Sequence, residues 1–172
     1  MSISSKRFFY SFVAYSLGYL TVVYELDNTA VALGFGKDTC EITSMLEKRL
    51  HCPVGLNYRS EGWRFTDQLQ SYLAGKRHAF EIDYELYCTP FQRRVFALVS
   101  QIPYGSICTY GEIAQKLGTR GYARAVGGAL SQNPLPILIP CHRVIGASGR
   151  GGFTPDPKIK SYLLALEQDN LP

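Results

Sequence analysis

The stretch Ile137-Leu138-Ile139-Pro140-Cys141-His142-Arg143-Val144-Ile145 constrains this chain more than any other. Its apolar flanks ask for burial, yet a thiol, an imidazole and a guanidinium stand together directly behind the proline. Core segments do not normally carry three such residues in a row. The economical reading is a rigid turn, held by its apolar flanks, that presents Cys141 for reaction with His142 available as base. The competing reading is that Cys141 is only a small core hydrophobe, the usual role of a cysteine. The neighbouring imidazole favours the first.

With 172 residues the chain can bury a real core, as one domain or two small ones. Hydrophobic residues make up 46% and charged residues 19%, with no low-complexity tract or repeat, so a globular fold is expected rather than disorder. The N-terminal apolar stretch is broken by Ser11, Ser16 and Gly18 and carries no small-residue cleavage site, and no run approaches the length of a membrane span. A soluble, intracellular protein, placed in the cytoplasm, is the expectation. The five cysteines, Cys40, Cys52, Cys88, Cys108 and Cys141, are odd in number and irregularly spaced, with no Cys-x-x-Cys pair. That pattern argues against a secreted disulfide framework and against a zinc ribbon. Cys40, His51 and Cys52 would give a metal only three ligands at no finger spacing. Charge is unevenly placed. Residues 1–89 hold nine Lys/Arg against ten Asp/Glu, and residues 90–172 hold nine against four. A basic half that also contains the candidate thiol points to a polyanionic partner, most simply nucleic acid.

The first half reads as an α+β unit. Phe8–Tyr15, Tyr19–Glu25 and Thr29–Phe35 are short aromatic and β-branched runs separated by turn residues, a pattern for an antiparallel meander. Residues 41–50 follow helical spacing through Ile42, Met45, Leu46 and Leu50, with Thr39 as the expected N-cap. Residues 63–73 repeat it through Phe65, Leu69, Tyr72 and Leu73, and Gly75 suits the C-cap. These helices are expected to cover an N-terminal antiparallel sheet. Nothing in this half looks chemical.

The domain boundary is placed near residue 88, giving a scaffold over 1–88 and a mostly helical second domain over 89–172. Thr89-Pro90 has the form of an N-cap followed by proline at N1, opening a helix to about Gln101. Thr109 caps a short helix over 110–117, Gly118 closes it, and a third helix runs from about Tyr122 to Gln132. In the third helix Ala123, Ala125, Val126, Gly127, Gly128 and Ala129 give a face of very small residues, with Arg124 as its one long basic side chain. Two short helices joined by a glycine-containing turn have the form of a helix-turn-helix, and equally of a generic helical hairpin; the local charge favours a DNA-binding role. Asn133-Pro134-Leu135-Pro136 ends the helix, and Asn133 can tie it to the active-site turn. A glycine-rich loop, 146–157, precedes a final helix over 157–168 with Ile159, Tyr162, Leu163 and Leu166 inward. Glu167 near its C-terminus opposes the helix dipole, so it needs another reason to be there. A Cys141-His142-Glu167 arrangement would supply one: the carboxylate orients the imidazole, and the imidazole draws the thiol proton, through a water because adjacent residues meet awkwardly.

Ala123 through Leu130, then Asn133-Pro134, then Pro136 through Gly146 resembles the signature of the O6-alkylguanine-DNA alkyltransferases, also called methylated-DNA–protein-cysteine methyltransferases. The resemblance is nearly continuous over residues 90–168 and includes Phe91-Gln92, Tyr104-Gly105, Thr109-Tyr110 and Leu163 through Glu167. Over 1–89 only the order of elements is similar. The resemblance implies direct DNA repair without a cofactor. An alkyl group on guanine O6, with thymine O4 as a second candidate, passes irreversibly to the cysteine, one event per protein. The partner would be double-stranded DNA, bound in the minor groove with the damaged base flipped out. Residue by residue, the resemblance implies Cys141 as acceptor, His142 as water-linked base, Glu167 as its orienting acid and Asn133 as hinge. Tyr110 would act on the 3′ phosphate and protonate the leaving base, and Arg124 would fill the gap in the stack. Gln92, Gly111 and Thr119 fall at positions of backbone contact, Leu130 at the groove wedge, and Val144 and Thr154 at the guanine pocket.

The physics is consistent with these roles. A poor electrophile needs a thiolate and a stabilised leaving group. Base flipping costs a few kcal/mol of unstacking, and minor-groove docking carries little sequence information, which suits inspection of any sequence. Two departures stand out: Thr154-Pro155-Asp156 replaces a small residue followed by Gly-Gly, and the spacing to Glu167 is one residue shorter than in some relatives; Leu130 also stands where many relatives have methionine. The first implies altered tolerance for bulky adducts. Arg143 is read as structural, bonding carbonyls or an acid within its domain. The alternative from another class is a helix-turn-helix regulator whose Cys141 is structural or a redox sensor.

Overall fold

The computed structural model describes residues 6–59, 64–149 and 156–172. Its contacts divide the chain into two compact units, residues 1–87 and 88–172. Among the described residues no helix is long and apolar enough to cross a membrane.

The first unit is built on β1 (Lys6–Tyr15), β2 (Gly18–Tyr24), β3 (Ala30–Phe35), α1 (Cys40–Leu50), β4 (Val54–Tyr58) and α2 (Arg64–Leu73). The sheet order is β3-β2-β1-β4. β1 pairs antiparallel with β2 from Phe9↔Tyr24 to Tyr15↔Gly18, and β2 antiparallel with β3. β4 pairs parallel with β1 from Lys6↔Val54 to Tyr10↔Tyr58. The expected antiparallel sheet is therefore mixed, dominated by its antiparallel pairs. The fourth strand escapes local reading because Val54-Gly55-Leu56-Asn57-Tyr58 contains two poor strand formers, and its partner lies almost fifty positions away along the chain. The long return through β2, β3 and α1 supplies the crossover that a parallel pair requires.

Phe8, Val23, Val31, Ala32, Ile42 and Leu46 form one buried cluster under α1. Gly34 permits that approach, since a Cβ there would stand 2.6 Å from Ile42 Cδ1. The cap of α1 differs from expectation. Thr39 makes no side-chain cap bond, and Asp38 Oδ1 accepts from the Cys40 amide at 2.8 Å instead. α2 buries Phe65, Leu69 and Tyr72, and Gly75 at φ 71° follows its end.

The second unit contains α3 (Pro90–Val99), β5 (Cys108–Thr109), α4 (Tyr110–Lys116), a 3-10 turn (Arg120–Tyr122), α5 (Ala123–Leu130), a 3-10 turn (Cys141–Arg143), β6 (Val144–Ile145) and α6 (Pro157–Asp169). Two helices begin with complete capping boxes. Thr89 Oγ1 accepts from the Gln92 amide at 3.2 Å while Gln92 Oε1 accepts from the Thr89 amide at 3.0 Å. Thr109 and Glu112 repeat the exchange at 3.1 and 2.6 Å. α3 buries Val95, Phe96 and Val99, and α5 buries Val126, Ala129 and Leu130. α6 starts at Pro157 as expected; its cap is Asp156, whose Oδ1 accepts from the Lys158 amide at 2.8 Å.

A two-residue parallel ladder, Cys108↔Val144 and Thr109↔Ile145, joins the start of α4 to the end of the Cys-His-Arg turn. It sets Tyr110, the first residue of α4, beside the active-site segment.

Candidate active site

The turn at Pro140 is held from the chain on either side of it. Leu135, Ile137 and Ile139 are all buried, so the segment is anchored by alternate apolar side chains. Ile137 has φ 79°, a left-handed conformation that strains a β-branched residue. Strain of this kind persists only where the surroundings over-determine the backbone. The Ile139 amide donates to Leu135 O at 2.9 Å, and the Cys141 amide to Ile139 O at 2.7 Å.

Asn133 completes the clamp. Its Nδ2 donates to Ile139 O at 2.8 Å and to Cys141 Sγ at 3.2 Å, while its Oδ1 accepts from the Leu135 amide at 3.1 Å. One side chain thus joins the segment after α5 to both the backbone and the thiol of the turn. Cys141 is 7% exposed. Burial pushes its thiol pKa up, while the Asn133 hydrogen bond and the Lys160 charge pull it down.

His142 and Glu167 are both fully buried. His142 Nε2 lies 2.8 Å from Glu167 Oε1. The carboxylate offers only acceptors there, because Arg143 Nη2 donates to Oε1 at 2.9 Å, Arg143 Nε to Oε2 at 2.9 Å, and the Gly105 amide to Oε2 at 3.0 Å. His142 therefore donates from Nε2. Burial holds the His142 pKa below the ordinary imidazole range, against the pull of Glu167 and with the help of the Arg143 and Lys160 charges. Arg143 also donates from Nη1 to Ile102 O at 2.6 Å, so it bonds a carbonyl and an acid within its own unit.

The structure brings Cys141, His142, Glu167, Asn133 and Tyr110 together. Tyr110 is half-buried, and its pKa is raised first by burial and then by the neighbouring Cys141. The remaining expected positions are distributed as follows. Arg124 is exposed on α5 beside exposed Ala125 and Gly128, and a Cβ at Gly127 would meet Tyr110 Cε1 at 3.9 Å. Gly111 is the second residue of α4, and Thr119 is exposed in the turn after the helix, with Oγ1 accepting from the Gly121 amide at 3.3 Å. Gln92 is committed to the α3 cap and also donates from Nε2 to Gln132 Oε1 at 2.9 Å. Leu130 lies on the buried side of α5 rather than on its exposed small-residue face. Val144 is buried, with its carbonyl facing Lys160. Thr154 falls in 150–155, outside the described residues.

Lys160 was not singled out in the sequence. It is 6% exposed and donates from Nζ to Val144 O at 2.7 Å. Burial lowers its pKa and the Cys141 thiolate raises it. A signal was present: Lys160 sits in the buried stripe Ile159, Lys160, Leu163 and Glu167 of α6, one position after an apolar anchor and seven before the acid. Gly105 was also missed as a donor to the site. Its φ of 70° turns the chain after Pro103 so that the amide reaches Glu167, and a Cβ would collide with Leu171. Among the described residues no group of three or more His, Cys, Asp or Glu is arranged to hold a metal ion.

Comparison with known proteins places this site in context. The family model described as 6-O-methylguanine DNA methyltransferase, DNA binding domain, matches residues 90–169. A methylated-DNA–protein-cysteine methyltransferase of Mycolicibacterium paratuberculosis is 48% identical over 107 residues, covering 62% of this chain and 65% of that protein. That similarity spans just under two thirds of the curated relative's length. The crystal structure of Mycobacterium tuberculosis O6-methylguanine methyltransferase superposes with a TM-score of 0.75 at 34% identity, over 96% of this chain and 95% of the other. A Mycobacterium tuberculosis OGT structure in complex with DNA gives 0.76 at 32% identity, over 95% of each chain. Similarity that runs the length of both units, together with the family model over the second, makes this chain a member of the O6-methylguanine-DNA methyltransferase family.

Proposed function

We propose that the protein repairs duplex DNA by moving an alkyl group from guanine O6 to Cys141 Sγ, once per molecule. The observation that carries this reading is the set of buried Cys141, His142 and Glu167, with half-buried Asn133 bonded to the thiol, in a chain of this family. A reactive thiol with no such role has little use for a buried imidazole oriented by a buried carboxylate.

The steps balance as follows. The Cys141 proton passes through a water to the acceptor nitrogen of His142, whose other nitrogen is held by Glu167. The thiolate attacks the alkyl carbon, an S–C bond forms and the C–O6 bond breaks. Guanine leaves with the bonding pair and is protonated from Tyr110, whose pKa, raised by burial, keeps it a proton carrier rather than a phenolate. Asn133 Nδ2 stays on sulfur throughout and favours its anionic form.

Docking is assigned to the exposed face of α5. Ala125 and Gly128 let the helix backbone approach a groove, and Arg124 is the long basic side chain available to fill a vacated base position. Gly111 and Thr119 stand at the neighbouring turns for phosphate contact. Minor-groove binding, base flipping, activity on thymine O4, a monomeric state and a cytoplasmic location belong to the same proposal.

Intact-mass measurement after incubation with a duplex carrying O6-methylguanine tests it. One methyl should replace one hydrogen per chain, and Cys141→Ala should show no gain. Unchanged mass with intact DNA binding would overturn the reading in favour of a regulator that binds without transfer.

A further inference from the structure

The Glu167 carboxylate is shared between two cationic or potentially cationic partners. His142 Nε2 and Arg143 Nη2 meet at Oε1, at 2.8 and 2.9 Å, while Arg143 Nε and the Gly105 amide meet at Oε2, at 2.9 and 3.0 Å. The guanidinium is locked further by Nη1 on Ile102 O at 2.6 Å, and its carbon lies 5.7 Å from the centre of the Tyr104 ring. Such a fork–fork pair is geometrically demanding, and lysine cannot reproduce it. A carboxylate that already neutralises a buried guanidinium holds a proton on a neighbouring imidazole less firmly than a carboxylate acting alone.

We infer that Arg143 is a positioning residue for His142: by forking across both oxygens of Glu167, it keeps the imidazole neutral, with hydrogen on Nε2 and Nδ1 as the ring's acceptor. This goes beyond a structural salt bridge, since it assigns Arg143 an effect on proton transfer without contact with DNA. Its kinetic arm rests on the reading of Cys141 as alkyl acceptor; its spectroscopic arm does not.

Among the described residues, three charged groups act on His142. Glu167 and Lys160 come from α6 and Arg143 from its own turn, while Tyr104, in the turn after α3, lies near Glu167 and Arg143, and Tyr110, at the start of α4, lies near Cys141. Of these, Glu167 favours the imidazolium, and Arg143 and Lys160 disfavour it alongside burial. Removing the Arg143 charge leaves Glu167 uncompensated, so the folded-state pKa of His142 rises.

The experiment follows the imidazole nitrogen resonances of His142 in the full chain through a pH titration, for wild type, Arg143→Met and Arg143→Lys. In the wild type, neutral pH should show an uncharged ring with hydrogen on Nε2; an imidazolium there would overturn the inference without any variant. Arg143→Met should raise the midpoint by roughly one to three units. Arg143→Lys, which keeps a charge but not the fork, should leave the midpoint near that of wild type. In single-turnover transfer, the acid limb of the rate should move with the spectroscopic midpoint in Arg143→Met, and Arg143→Lys should lower the plateau without moving the limb. A merely structural role would reduce the active fraction and leave both midpoints in place, and that result also overturns the inference. Absence of transfer by the wild type would refute the proposed function and leave the titration to decide the role of Arg143.

Discussion

Replacing Glu167 by glutamine retains its shape and exchanges one acceptor oxygen for an NH2 group. Either orientation of the amide sets that NH2 against two donors. On one side stand His142 Nε2 and Arg143 Nη2, on the other Arg143 Nε and the Gly105 amide. His142 can relieve one clash by changing tautomer, but nothing relieves Arg143, which is left buried without its counter-charge. Breaking a buried ion pair from one side costs about 3–5 kcal/mol, against a total stability of about 5–15 kcal/mol for a typical domain. Urea denaturation near neutral pH, followed by circular dichroism, should show a loss in that range for Glu167→Gln. Arg143→Met combined with Glu167→Leu should recover the larger part, because a buried pair replaced by apolar residues of similar volume leaves no orphan charge. A loss under about 1 kcal/mol, the worth of an exposed pair, would refute the reasoning. So would a double variant as unstable as the single one.

Thr109→Ala should cost about 1 kcal/mol through loss of the α4 capping box, and Thr109→Ser should restore most of it, as read by thermal unfolding. Asn133→Ala removes the Nδ2 hydrogen bond that pulls the Cys141 thiol down, so its pKa should rise further and iodoacetamide should modify it only at higher pH. Lys160→Met removes the nearby positive charge in the same direction and should lower the thiolate fraction about tenfold or more at fixed pH; an unchanged alkylation rate would count against the charge effect. His142, whose pKa is lowered in the folded state, binds fewer protons there than when unfolded, so its contribution is fully present above the ordinary value of about 6.5 and is lost as pH falls through the folded pKa. Stability of the wild type should therefore fall on acidification below that value, and His142→Gln should flatten that part of the curve.

Much of the second unit was legible because its signals are local. Thr89-Pro90 and Thr109 with Glu112 announce helix starts by residue type and spacing, and both form complete capping boxes. The adjacency of Cys141, His142 and Arg143 in an apolar run likewise marked the turn of the candidate site, and Glu167 was conspicuous as an acid at the wrong end of a helix dipole. The first unit was readable as three strands and two helices for the same reason.

What the sequence determined by itself was thus the set of elements and the types of chemical group, since periodicity, caps and residue character act over a few positions. The tertiary structure decided which of those groups meet. β4 is a strand because β1 offers it a parallel edge, and its own propensity argues otherwise. Leu130 belongs to the buried side of α5 because Val126 and Ala129 turn that face inward. Tyr110 comes near the thiol because Cys108 pairs with Val144 across thirty-six positions. The Cys-His-Arg turn was visible from the outset, but the Gly105 amide, the Ile102 carbonyl and the Lys160 charge that condition it arrive from segments brought back by the folded chain. Hydrogen bonds and charges act through distance in space, and a linear pattern does not carry that distance.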